Sequence, residues 1–273
     1  MGKAFSYNGR IARWWLRRAA DNVHKRAYKN IAAFIRASFA REPRLIVDYA
    51  CGAGQLLAAL SRRFPDSNLL GLDGSSFLLD RAERRSSRLP HERARRISLI
   101  EGPLPNLDLL KDCADLVVYC FPNMMPSSDE DEIRGVDFEL SGIDRWIAEK
   151  LSLAVDSGDE DREFPDPSAI QDTLERNRKI SCNLRRLLVC GGICVRVEYA
   201  TMQRHEWSQL ELQRVSFEEG SLDTEIEGKL PEQWFRVLAS AYFRSRVLED
   251  VYQQTGDRRD RNGGYLITVL RGI

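Results

Sequence analysis

The sequence has little that would tie it to a membrane, a metal or an oxidising compartment. No apolar run in its 273 residues approaches the length needed to cross a bilayer. Residues 1–6 lack the apolar core of a secretory leader. The three histidines, His24, His91 and His205, are far apart. No C-x-x-C pair occurs among the cysteines at 51, 113, 120, 182, 190 and 194. A zinc or iron site is therefore not expected, and no metal ligand is assigned. The cysteines stand mostly in apolar contexts and read as reduced thiols of a cytoplasmic protein. Net charge is zero, so the total exerts no pull toward nucleic acid or anionic lipid. What remains is ordinary for a soluble globular chain with a large core: 43% hydrophobic and 30% charged residues.

The strongest signal is residues 44–56, Arg-Leu-Ile-Val-Asp-Tyr-Ala-Cys-Gly-Ala-Gly-Gln-Leu. Leu45-Ile46-Val47 is a short apolar run, as in a strand buried on both faces. Asp48 and the loop Cys51-Gly52-Ala53-Gly54 follow. From Gln55 the pattern turns helical, with Leu56, Leu57, Leu60 and Phe64 on one side. Strand, glycine turn and helix form the first unit of a nucleotide-binding α/β sheet. Gly52 and Gly54 let the backbone bend tightly and approach a ligand that a Cβ would obstruct. The dinucleotide fingerprint G-x-G-x-x-G is missing, because its third glycine is Leu57 here. A second acid, Asp73, closes the next apolar run at Gly71-Leu72-Asp73-Gly74-Ser75. That spacing suits a carboxylate accepting hydrogen bonds from two ribose hydroxyls.

On these residues the chain resembles the class I S-adenosylmethionine-dependent methyltransferases. Val47-Asp48-Tyr49-Ala50-Cys51-Gly52-Ala53-Gly54 matches their first motif, and Asp73 matches the acid of their second. The Leu-Leu-x-x-Gly-Gly entry into a fifth strand is also similar, at residues 187–192. The resemblance covers about 44–122 and 168–271. It implies an α/β fold with a Rossmann-like seven-stranded sheet and a closing antiparallel strand pair, and S-adenosyl-L-methionine as cofactor. It places Asp48, Cys51, Gly52 and Gly54 at the cofactor loop, with Asp48 organising the ammonium end through loop carbonyls or water. Asp73 and Gly74 fall at the ribose. Leu72, Leu104 and Phe121 are expected to sandwich adenine, with Glu101 and Gly102 at the end of strand three. Where the family often follows that glycine with an acid for the adenine amino group, this chain has Pro103.

The organisation expected is a helical N-terminal lid over 1–43 and a cofactor-binding α/β domain over 44–273, with helical insertions at about 123–167 and 201–230. Strands are expected at about 68–73, 97–100, 115–121 and 193–199, with helices at about 76–88 and 169–189. Gly191-Gly192 reads as the stop of the second of these helices. Pro231 reads as the start of a helix reaching Phe243. Residues 247–253 and 264–271 read as the closing strand pair. Charge is uneven along the chain: residues 1–44 carry a net of plus nine and residues 127–175 a net of minus twelve. The basic arm reads as a solvated face, and the acidic insert as a lid-like segment.

Asn123 follows strand four, where the family puts substrate-facing residues. Cys120-Phe121-Pro122-Asn123 departs from the Asn/Asp-Pro-Pro-aromatic motif of nitrogen methyltransferases at its first position, which argues against a planar amide or base nitrogen as acceptor. Tyr7, Trp14 and Trp15 are candidates to cover the sulfonium by cation–π contact. Glu198 and Tyr199 end strand five. The catalytic set expected is Asn123, Tyr199 and Tyr7. The reaction expected is methylation of a small molecule, as in specialised metabolism, with no nucleic-acid or membrane partner and with the oligomeric state open. Three alternatives stand beside it. The basic arm would suit an RNA or protein methyltransferase. An S-adenosylmethionine-consuming cyclase would form an azetidine-2-carboxylate-type amino acid and release methylthioadenosine. A non-catalytic cofactor-binding subunit would have less need of an intact loop with Asp73.

Overall fold

A computed structural model describes residues 10–102, 104, 111–121, 179–201, 235–245 and 263–272. Two helices lead, α1 (Arg10–Ala19) and α2 (Asn22–Ala37). Asp21 starts α2 by accepting from the His24 backbone N–H at 2.6 Å. His24, Ala27, Ile31, Ala32 and Ile35 are buried on one side of α2, at the spacing that lays a single helix face on a sheet. The α/β unit then runs β1 (Leu45–Tyr49), α3 (Gln55–Arg63), β2 (Asn68–Asp73), α4 (Ser76–Ser86), a short α5 (His91–Ala94), β3 (Ile97–Glu101) and β4 (Ala114–Cys120). A helix at 179–187, α6, leads into β5 (Leu188–Thr201). Strands β6 (Phe235–Arg244) and β7 (Gly263–Gly272) complete the sheet.

The seven strands lie in the order β3-β2-β1-β4-β5-β7-β6. The first five are mutually parallel, and β7 runs antiparallel to both β5 and β6. The chain moves outward from β1 through β2 to β3 and then returns to β4 on the other side of β1. This reversal opens a crevice at the carboxyl ends of β1 and β4, where open α/β sheets hold their ligands. Ile31, Ile35, Leu57 and Leu60 pack with Ile46, Val118 and Ile267 on one face. Leu184 and Leu187 pack with Val47, Val117 and Leu270 on the other. Burying a leucine such as Leu57, which is fully covered, contributes about 2 kcal/mol.

Two expectations about elements are corrected. Residues 235–244 form the edge strand β6 rather than a helix opened by Pro231, and it is β6 that pairs with β7. The segment 247–253 lies outside the described residues. The pairing of β6 skips Leu238: Val237 faces Leu270, and Ala239 faces Val269. This bulge sends residues of the same parity to opposite faces, so Phe235 joins one core cluster and Phe243 packs against the other. Neither a helical nor an alternating pattern survives such a switch. The second correction concerns Gly191-Gly192. These residues do not stop the helix, which ends at 187; they lie inside β5. Gly191 has φ +72°, and the β4 pairing jumps from Leu188 to Ile193 at this point. The insertions at 123–167 and 202–230 lie outside the described residues.

Candidate cofactor site

The loop between β1 and α3 is built from three left-handed residues, Ala50 (φ 64°), Gly52 (φ 53°) and Gly54 (φ 72°). The Gly54 N–H closes the turn on the Cys51 carbonyl at 3.0 Å, and the Cys51 N–H ties it to the Leu72 carbonyl of β2 at 2.9 Å. At Gly54 a Cβ would come within 3.0 Å of the Ala82 Cβ, so both conformation and space require glycine. At Gly52 a Cβ would meet nothing within 4 Å, which leaves that side of the loop open for a ligand. Gly71 has the opposite role. Its Cβ would strike Leu57, Cys51 and Leu99 at 2.6–2.8 Å, so the bare backbone lets α3 and the loop sit close to β2.

Asp73 is the hub of this corner. One carboxylate oxygen accepts from the Gly52 N–H at 2.7 Å and the other from the Ser75 N–H at 2.9 Å. Its carbonyl accepts from the Gly102 N–H at 3.0 Å. Burial pushes its pKa up, while amides of Ser75, Gly52 and Gly74 pull it back. Asp48 has less support. It is 2% exposed, its Oδ2 has no hydrogen-bond partner, and burial, reinforced by Asp73, drives its pKa well above the usual carboxylate range. Burial and the same two acids raise the Cys51 thiol, and burial with Asp48 raises Cys120. Across the loop, the Gln55 side-chain Nε2 is buried and also lacks a partner. An unpaired acceptor and an unpaired donor thus flank one glycine turn. Buried polar groups without partners are costly, and this pair matches the ammonium and carboxylate of an amino acid.

The structure brings Asp48, Cys51, Gly52, Gly54, Asp73, Gly74 and Gly102 together. Glu101 is paired in register with Asp73, with its side chain exposed. Leu72 and Leu104 belong to the same apolar cluster, around Tyr49. The expected adenine sandwich is nevertheless divided. Phe121 packs in the opposite cluster, edge-on to His24 at 5.8 Å, Tyr28 at 5.9 Å and Tyr265 at 5.8 Å. It takes φ +48° at the end of β4, a strained conformation for an aromatic residue. Asn123 and Tyr7 lie outside the described residues. Tyr199 stands opposite Tyr265 in the sheet, with its side chain outside the description, as are those of Trp14 and Trp15. Glu198 is engaged by Arg196 at 2.5 Å. Among the described residues no cluster of metal ligands occurs.

Several site residues escaped the sequence reading. Gln55 was legible in principle, being the first helical residue after the glycines. Tyr49 and Asn183 were not: the Tyr49 hydroxyl donates to the Leu104 carbonyl, and the Asn183 amide donates to the same oxygen at 3.0 Å. The two pin the segment after β3 across 79 residues of sequence. Tyr265, 1% exposed, stacks on Phe243 with 5.2 Å between centroids. Burial raises its pKa; Asn30 beside it tempers the rise, but no group meets its hydroxyl in hydrogen-bonding geometry.

Residues 46–136 match the family model described as "Methyltransferase domain". Over that third of the chain the protein is similar to the methyltransferase-domain family. Among curated relatives, trans-aconitate 2-methyltransferase of Methylobacterium radiotolerans is 45% identical over 47 residues, 17% of this chain and 18% of that protein. The Yersinia pestis enzyme of the same name is 45% identical over 49 residues, 18% of each. The alignment thus spans under a fifth of the length of these methyltransferases. Among solved structures, geranyl diphosphate C-methyltransferase from Streptomyces coelicolor superposes with TM-score 0.53 at 11% identity, covering 93% of this chain and 85% of that one. The (4+2)-cyclase SpnF gives 0.51 at 11% identity, covering 89% and 80%. These two likenesses concern the fold. No described helix of this chain is long and apolar enough to cross a membrane.

Proposed function

We propose that the protein binds S-adenosyl-L-methionine at the β1–α3 loop and transfers its methyl group to a small-molecule acceptor. The observation that carries this reading is the orphaned pair, Asp48 Oδ2 and Gln55 Nε2, beside a loop already tied to Asp73. Asp48 would hold the ammonium and Gln55 the carboxylate of the cofactor's amino-acid tail. Each oxygen of Asp73 already accepts one amide, and a carboxylate offers about four lone-pair sites; two are left for the ribose hydroxyls. Leu72 and Leu104 would form one apolar wall for adenine, with Glu101 and Gly102 at its rim. The cofactor supplies an electrophilic methyl on a sulfonium. The chain's part is to fix the tail, keep water out and align the acceptor. Asn123, Tyr199 and Tyr7 remain the acceptor-side groups of this proposal, residues 1–43 its lid, and specialised metabolism in the cytoplasm its setting.

Product analysis tests the reaction. With cofactor alone, S-adenosylmethionine should stay largely intact, because no nucleophile stands in line with the methyl. With acceptor, S-adenosylhomocysteine should accumulate. Enzyme-dependent methylthioadenosine in the tube without acceptor would overturn methyl transfer in favour of cyclisation, since a tethered amine needs no second substrate.

Asp48 gives a second test. A carboxyl whose folded pKa is raised stabilises the fold fully only below its unfolded pKa, near 3.8, and that stability is lost as pH rises through the folded value. Asp48→Asn lifts this burden. The variant should therefore unfold at a higher temperature than the parent at neutral pH, and the gap should close at acid pH. Its affinity for S-adenosylhomocysteine should fall about tenfold, through loss of a charge-assisted bond, and should no longer rise with pH as the parent's does. Equal melting curves across pH would show that Asp48 is not a buried charge, and equal affinities would remove it from the tail subsite.

A further inference from the structure

Arg85, on α4, is not part of either sequence motif. Its Nε–H donates to the Ala53 carbonyl, in the middle of the glycine loop, at 2.9 Å. The guanidinium is half buried. Burial is the main cause that lowers its pKa, Arg88 and Arg62 add like-charge repulsion, and Tyr28 offsets part of the fall. Among the described residues no acid forms an ion pair with it. A cation held at a cost, beside two others, and committed to one carbonyl needs a reason beyond helix packing. Surface arginines more commonly keep their heads in water.

Ala53 supplies that reason. Its methyl, 3% exposed, is packed by Ala12 of α1 and Leu78 of α4, while its carbonyl is taken by Arg85. The Ala53–Gly54 peptide is therefore held on both sides. The N–H of the same peptide closes the turn on Cys51, and its glycine takes φ +72°. Glycine has more backbone freedom to lose than any other residue. One strong, charge-assisted bond at this peptide removes that freedom before a ligand arrives. Directly after Gly54 comes Gln55, with its buried amide unpaired.

We infer that Arg85 is a positioning residue for the amino-acid-tail subsite, acting through the Ala53 carbonyl. This rests on the cofactor reading above. It predicts a selective effect, because on that reading Ala53 and Gln55 would face the tail, while Asp73 would hold the nucleoside. Arg85→Met should weaken S-adenosylhomocysteine binding about tenfold in calorimetry. It should leave methylthioadenosine, which lacks the tail, within twofold of the parent. Arg85→Lys, which keeps the charge and one donor, should fall between for the first ligand. Equal weakening of both ligands would mean a general loosening of the domain and would overturn the inference, as would no change in either. If the parent protein binds neither compound, the cofactor reading itself has failed and takes this inference with it; that outcome is seen before any variant is compared.

Discussion

Asp73→Ala should lower the affinity for S-adenosylmethionine by thirty-fold to somewhat over a hundred-fold, roughly 2–3 kcal/mol. The size follows from two roles carried by one carboxylate. It would accept from the ribose, and it already holds the Gly52 and Ser75 amides at 2.7 and 2.9 Å. Truncation removes the ligand bonds and releases the loop from β2 on one side. Water will satisfy part of what is lost, which keeps the effect below the sum of the separate bonds. The fold should suffer less than the binding, because burial already disfavours this charge. Calorimetry on the variant beside a urea melt separates the two. An unchanged dissociation constant would take Asp73 out of the site, and a collapsed fold would show that its amide bonds matter more to the architecture than to the ligand.

The largest effect on stability should come from Gly264→Ala. A Cβ at this position of β7 would lie 2.1 Å from the Phe243 carbonyl oxygen and 3.0 Å from the Arg244 Cα, both backbone atoms of β6. Side-chain ends can swing aside, but a paired strand cannot move without losing its ladder. Gly264 also pairs with Ala200 on the other side, so β7 has no free direction in which to shift. A loss of about 3 kcal/mol or more is expected, above the usual range for overpacking, read as a lower urea midpoint. Gly71→Ala provides the contrast. The three atoms nearest its Cβ belong to side chains, of Leu57, Cys51 and Leu99, and a smaller loss should follow. If both variants melt with the parent, the close approach of β6 to β7 is not as tight as the geometry requires.

The unit from β1 to β2 was readable because its signals are local. Buried strand, glycine turn, helix and acid follow one another within thirty residues, and each has a backbone reason to be what it is. β6 was misread because its pattern is set by a neighbour far along the chain. The bulge at Leu238 moves Phe235 and Phe243 to different faces, and Pro231 ahead of an apolar stretch looks locally like a helix start. Phe121 shows the same limit of local reading. Its position after β4 is sequence information, but its direction is fixed by His24, Tyr28 and Tyr265, which come from both ends of the chain. Asn183 and Arg85 belong to the same class. A single polar residue on an amphipathic helix gives no hint that it reaches a loop carbonyl 79 or 32 positions away.

The sheet order also dictates a timetable. β7 follows β6 in the chain but lies between β6 and β5. As the polypeptide leaves the ribosome, β1 to β5 can pair in turn, each with a strand already made. β6 then emerges with no described strand beside which it can lie, and its pairing waits until β7 has been synthesised. During that interval Phe235 and Phe243 are without their cover, and an unpaired strand edge of this kind attracts other chains.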